Sequence, residues 1–104
     1  MSTTKEKIDT IRFGARNFET IRHEEHMSFD EVNSMYPSER IKEKNGVYIN
    51  KCYIPYTAYS TRIVYFVDGT NGDSYGQVDT KQKALELFEL LVSLPTEERG
   101  LYDY

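Results

Sequence analysis

The chain contains a single cysteine, Cys52, no tryptophan, and no uninterrupted apolar run longer than Ile63–Val67. One cysteine excludes an intrachain disulfide and fits a reducing, cytoplasmic setting. The longest apolar run falls far short of the ~20 residues that a membrane-spanning helix needs. The polar opening MSTTKEK lacks the apolar core of a secretion leader, so neither a membrane nor an export route is expected. Positive charge is not in excess either: 13 Lys and Arg face 17 Asp and Glu, for a formal net charge of −4. Nucleic-acid binders draw much of their affinity from phosphate contacts made by basic residues. A protein partner is therefore the first expectation and nucleic acid the second.

What the sequence does have is tyrosine. There are nine in 104 residues, six of them between Tyr48 and Tyr75. A ring with a hydroxyl suits both a half-buried sheet and a contact surface. The length predicts a single domain over residues 1–104. Its class is α+β: a mainly helical stretch 1–46, a three-stranded antiparallel meander with a C-terminal amphipathic helix over 47–94, and an acidic tail 95–104.

In the first stretch, Ile8, Ile11, Ala15 and Phe18 recur at helical spacing. Ile11, Phe13 and Ala15 also alternate as a short strand would, but the charged flanks favour helix. Ser28 and Glu31 have the spacing of a capping box, which predicts a short helix over Phe29–Met35 that Pro37 stops. Ser38 could cap a further turn through Ile41, with Asn45-Gly46 ending the helical region.

Three runs rich in β-branched and aromatic residues follow: VYINKCY, TRIVYFV and SYGQV. Pro55 marks a break or an edge. The string Asp68-Gly69-Thr70-Asn71-Gly72-Asp73 is the strongest hairpin signal in the chain. Asp79 is the expected N-cap of a helix beginning at Lys81, with Gln82 completing a capping box. That helix carries Ala84, Leu85, Leu87, Phe88, Leu90, Leu91, Val92 and Leu94, a stripe too wide for one small sheet. It should also meet the N-terminal helices or a second copy of the chain, and Leu87 and Leu90 are the candidate positions for a homodimer.

Catalytic and metal signatures are weak. His23-Glu24-Glu25-His26 sets two imidazoles three apart, not four as in HExxH. A solvated helix end accounts for it, and no metal or cofactor is expected. Cys52 reads as a small strand residue rather than a nucleophile. The loop 68–73 lacks the glutamate that closes a calcium loop. No catalytic residue is assigned.

The string Gly46-Val47-Tyr48, the aromatic second strand, and Tyr75-Gly76-Gln77-Val78-Asp79-Thr80 leading into Lys83-Ala84-Leu85-Glu86-Leu87-Phe88 together resemble the DNA-binding modules of the AP2 and integrase kind, over about residues 46–94. The resemblance implies a sheet lying in the DNA major groove. Those modules read DNA with arginines and tryptophans on the open sheet face; here only Lys51 and Arg62 are available, and tyrosines stand in place of tryptophan.

The sequence thus points to a small non-enzymatic interaction protein. Its expected contacts are Tyr48, Tyr53, Tyr56, Tyr59 and Tyr65 on the sheet, with Glu97, Glu98, Tyr102, Asp103 and Tyr104 in the tail. Size and acidity suggest a phage or mobile-element accessory protein that inhibits host nucleic-acid-handling machinery, such as a CRISPR or restriction nuclease. The alternative is a DNA-binding module using Lys51, Arg62, Lys81 and Lys83.

Overall fold

The computed structural model describes residues 3–23 and 26–103. The order of elements is α1 (Thr4–Phe13), β1 (Thr20–Arg22), α2 (Phe29–Met35), β2 (Glu39–Lys44), β3 (Val47–Thr57), β4 (Ser60–Gly69), β5 (Ser74–Val78), α3 (Lys81–Val92) and α4 (Thr96–Arg99), followed by a 3-10 turn at Gly100–Tyr102. The class is α+β, with a five-stranded antiparallel sheet in the order β1-β4-β3-β2. β5 shares the outer edge of β4 with β1, pairing with residues 65–68 while β1 pairs with 60–62.

Two of the strands lie in the stretch expected to be helical. β2 occupies the segment that Ser38 was expected to cap as a helical turn, and Asn45-Gly46 is the turn of the β2–β3 hairpin rather than a helix end. Asn45 has φ 50° and Gly46 φ 80°, the two positive values that a type I′ connection requires and that Asn-Gly supplies at little cost. α1 also stops earlier than the apolar spacing suggests, at Gly14, and residues 14–19 lead into β1. Pro55 does not end its strand: β3 continues to Thr57, with a register shift after Pro55, as tolerated where no ladder donor is needed.

The helix starts follow local chemistry. Ser28 accepts a hydrogen bond from the Glu31 N–H as a capping box demands. At α3 the N-cap is Thr80, whose hydroxyl accepts from Lys83 N, and Gln82 bonds Glu86 instead of closing a box. Asp79, one residue earlier, has a tertiary role: its Oδ2 accepts from the Asn17 N–H at 2.7 Å and from Lys83 Nζ at 3.2 Å.

The core lies between one face of the sheet and helices α1 and α3. Val47 and Ile49 of β3, Ile63, Tyr65 and Val67 of β4, and Tyr75 and Val78 of β5 meet Ile8, Ala84, Leu87, Phe88 and Leu91. Gly76 allows the close approach, since a Cβ there would come within 3.0 Å of Leu87 Cδ2 and 3.2 Å of Arg12 Cβ. The wide stripe of α3 is explained inside the monomer: α1 packs beside it, and Leu87 is fully buried.

Candidate partner-binding face

Because side chains alternate along a strand, β3 and β4 present two different surfaces. The odd-numbered positions face the helices. The even-numbered positions, Tyr48, Asn50, Cys52, Ile54 and Tyr56 on β3 with Arg62, Val64, Phe66 and Asp68 on β4, face the other way. The cross-strand pairs Tyr48 with Asp68, Asn50 with Phe66, Cys52 with Val64 and Ile54 with Arg62 define this second face. Arg40 joins it from β2 through its pairing with Asn50, and Thr20 and Arg22 join it from β1 opposite Arg62 and Ser60.

Its residues range from half-buried to exposed, apart from the central Val64, which its neighbours bury. Tyr56 is 57% exposed and Ile54 36%.

The chemistry of this face is arginine on aromatic rings. Arg40 lies over Tyr48 at 3.9 Å, and Arg62 lies between Tyr56 at 3.8 Å and Phe18 at 4.8 Å. Cation–π contact orients each guanidinium and removes much of its rotamer freedom. Arg40 is further held by Asn50 Oδ1 and Glu43 Oε1. At the far end of β4, burial raises the Asp68 carboxyl above its ordinary value, against an opposing hydrogen bond from the Ser74 side chain. Its Oδ1 is a buried acceptor without a hydrogen-bond partner.

The structure divides the expected contact residues among several environments. Tyr48 and Tyr56 share the open face. Tyr59 is exposed in the turn between β3 and β4. Tyr65, expected at the surface, is a core residue with 8% exposure, because its odd position points it at the helices. Tyr53 is on the helix side as well, in a stack: its ring centroid is 5.1 Å from Tyr36, which lies 5.9 Å from His23. His23 Nε2 is 2.5 Å from Thr61 Oγ1, so this imidazole is engaged in packing. His26 is exposed, and Glu24 and Glu25 lie outside the described residues. Among the described residues no cluster of three or more His, Cys, Asp or Glu could hold a metal ion.

The basic residues expected to meet DNA are also separated. Lys51 is on the helix side beside Tyr53, whose hydroxyl raises the Lys51 ammonium above its ordinary value. Only Arg62 belongs to the open face. Lys81 is exposed at the start of α3, and Lys83 pairs with Asp79 at 3.1 Å.

The tail is folded onto the body of the molecule. Arg99, 5% exposed, donates from Nε to Leu91 O, from Nη2 to Val92 O and from Nη1 to Asn45 O. Tyr102 is half-buried, and its carbonyl accepts from Arg12 Nη1. Asp103 Oδ1 accepts from Ser74 N. Glu97 and Glu98 are exposed on α4, and Tyr104 lies outside the described residues. Arg12 and Arg99 went unnoticed as structural groups in the sequence, since nothing local separates a buried arginine from a solvated one.

Between α1 and α3 runs a surface groove of about 660 Å³, lined mainly by Ile11, Leu85 and Leu90 with Lys7, Glu86 and Glu89 at its rims. Leu90 is available there for contact; Leu87 is not. No helix among the described residues is long and apolar enough to cross a membrane. No family model, curated protein or solved structure matches the chain.

Proposed function

We propose that the protein is a non-enzymatic interaction module that docks on a partner protein through the open face of its sheet. The observation that supports this reading is the composition of that face: Tyr48, Tyr56, Ile54 and Phe66 with Arg40 and Arg62 stacked on rings. Tyrosine and arginine are the residue types that dominate binding energy in protein interfaces, where large rings contribute area at low entropic cost. The face is left without a helix by a fold that places α1 and α3 on the other side.

The narrower reading, inhibition of a nuclease or other nucleic-acid-handling machinery, rests on small size and acidity. Carboxylates gathered on one surface would favour it. Of the residues of β3 and β4 that form the open face, Asp68 is the one carboxylate, so the aromatic face supports the docking reading better than mimicry of a polyanion does. A nucleic-acid module is the second reading, since stacked aromatics beside arginines also suit unpaired bases. The separation of Lys51 and Lys83 from the open face disfavours it.

The test is site-specific photo-crosslinking, with p-benzoylphenylalanine at Tyr56 and, as control, at Glu86 on the helix side. A discrete protein adduct from position 56 and none from 86 is expected. A nuclease-sensitive adduct from position 56 would transfer the face to the second reading. Adducts only from position 86 would overturn both.

A further inference from the structure

The helix side of the molecule carries an apolar surface of its own. α1 and α3 complete the core with their inner sides, yet the groove along their outer sides is apolar at its floor, where Ile11, Leu85 and Leu90 are half-buried. The monomer accounts for Leu87 but leaves these three in contact with water. The rims of the groove differ in sign. Lys7 stands on the α1 side, and Glu86 and Glu89 on the α3 side. Glu89 already reaches Lys42 of β2. Lys7 and Glu86 are both exposed, and neither joins an ion pair among the described residues. Each rim thus holds a charge that complements the opposite rim.

We infer that a second copy of the chain covers this groove, in a two-fold dimer that seats α1 of each copy on α3 of the other. A two-fold axis brings a patch against itself, so a patch that contains its own counter-ions needs no foreign ones. Lys7 of one copy meets Glu86 of the other, twice, on either side of a shared floor of Ile11, Leu85 and Leu90. A helix of an unrelated protein would have to carry both charges at matching positions, and a polyanion would meet the carboxylate rim.

The contact is small. Helices of 10 and 12 residues side by side present a face of roughly 15–18 by 20 Å, under the ~800 Å² that each partner gives to a standard interface. The dissociation constant should therefore lie on the order of 100 µM. Because α1 and α3 lie across the sheet from Tyr48, Tyr56 and Arg62, the dimer turns its two open faces outward. On the docking reading it would hold two partner sites at once, but the dimer itself does not depend on that reading.

The experiment is sedimentation velocity on the full chain from about 10 µM to about 1 mM, a range that brackets the expected constant. The mean mass should climb from one chain toward two. Leu90→Asp should hold it at one. Lys7→Glu and Glu86→Lys should each weaken the dimer about tenfold, since the two-fold axis repeats every changed contact. An equimolar mixture of those two variants restores both cross-interface pairs and should associate as the unaltered chain does, a recovery that also shows both variants to be folded.

A chain that stays monomeric at the highest concentration would overturn the inference. So would self-association that these substitutions leave unchanged, or a mixture no stronger than either variant alone. At the low micromolar concentrations suited to crosslinking the chain is almost wholly monomeric, so position 86 remains a silent control and the docking reading and the dimer can fail separately.

Discussion

The two faces of β4 are built from adjacent residues and behave as different materials. Thr61, Ile63, Tyr65 and Val67 are buried under α1 and α3 or beside β1, whereas Arg62, Phe66 and Asp68 remain half-exposed. The strand's own propensity is the same on both sides, so only the packing partner differs. Stability should therefore be concentrated on the odd positions and recognition on the even ones, a division that substitutions can test one face at a time.

The largest effect should come from the covered face. Phe88→Ala removes a fully buried ring that meets the sheet and should cost about 3–5 kcal/mol, read as a lowered urea midpoint with little change in slope. Leu87→Asp would put a charge at a fully buried site and should unfold the chain, so it cannot serve to probe a dimer. Leu90→Asp can, because Leu90 lines the outer groove.

Arg99→Ala comes next. It strips the carbonyls of Leu91, Val92 and Asn45 of their donor and should cost about 2–3 kcal/mol. Amide exchange should accelerate in both the last turn of α3 and the β2–β3 turn, and acceleration in only one of them would refute the shared anchor.

Two carboxylates should respond to pH with opposite sign. Burial opposes ionisation of Asp79, but the Asn17 N–H and Lys83 outweigh it and hold the carboxyl below its ordinary value. Its stabilising contribution is present above the unfolded value of about 3.9 and is lost as pH falls through the lower folded value. Asp68 has a raised folded value because burial dominates. Its ionisation therefore works against folding, and stability falls as pH rises from the ordinary carboxylate range through the folded value. Asp79→Asn should lower neutral-pH stability and flatten the acid limb of the unfolding curve; Asp68→Asn should leave neutral-pH stability equal or higher. The smallest stability effect belongs to Tyr56→Ala, within about 0.5 kcal/mol, with crosslinking to the partner protein from a benzoylphenylalanine at Tyr48 strongly reduced. A large loss of stability from this substitution would erase the distinction between the faces.

Much of this arrangement can be read from the chain, and the remainder has identifiable reasons. The Ser28–Glu31 cap, the strands that follow Gly46 and the apolar stripe of α3 are local signals, and the structure uses each of them. The hairpin at Asn45-Gly46 was legible too, but the same two residues also end helices, and ERIKEK is so charged that its strand character depends on pairing with β3. β1 carries no signal of its own, since three residues become a strand only because the edge of β4 beyond β5 is vacant. Thr80 took the cap from Asp79 because Asn17 and Lys83, one of them 62 positions away, claimed the carboxylate.

The candidate site was half visible. Alternation assigns Tyr48 and Tyr56 to one face and Tyr53 and Tyr65 to the other, but only the packing of α1 and α3 decides which face is open. The stacking of Phe18 on Arg62 joins residues 44 positions apart in the sequence, which no local pattern announces.

Arg99 also bears on the order in which the parts of the fold can be joined. It is translated after every segment that it ties together, the turn at Asn45 and the end of α3 alike. The pairing of the five strands needs nothing from Arg99, but until that side chain is in place the last carbonyls of α3 are served by water. One guanidinium thus closes the junction between the β2–β3 turn and the end of α3, and a chain in which it is not yet seated is loosest there.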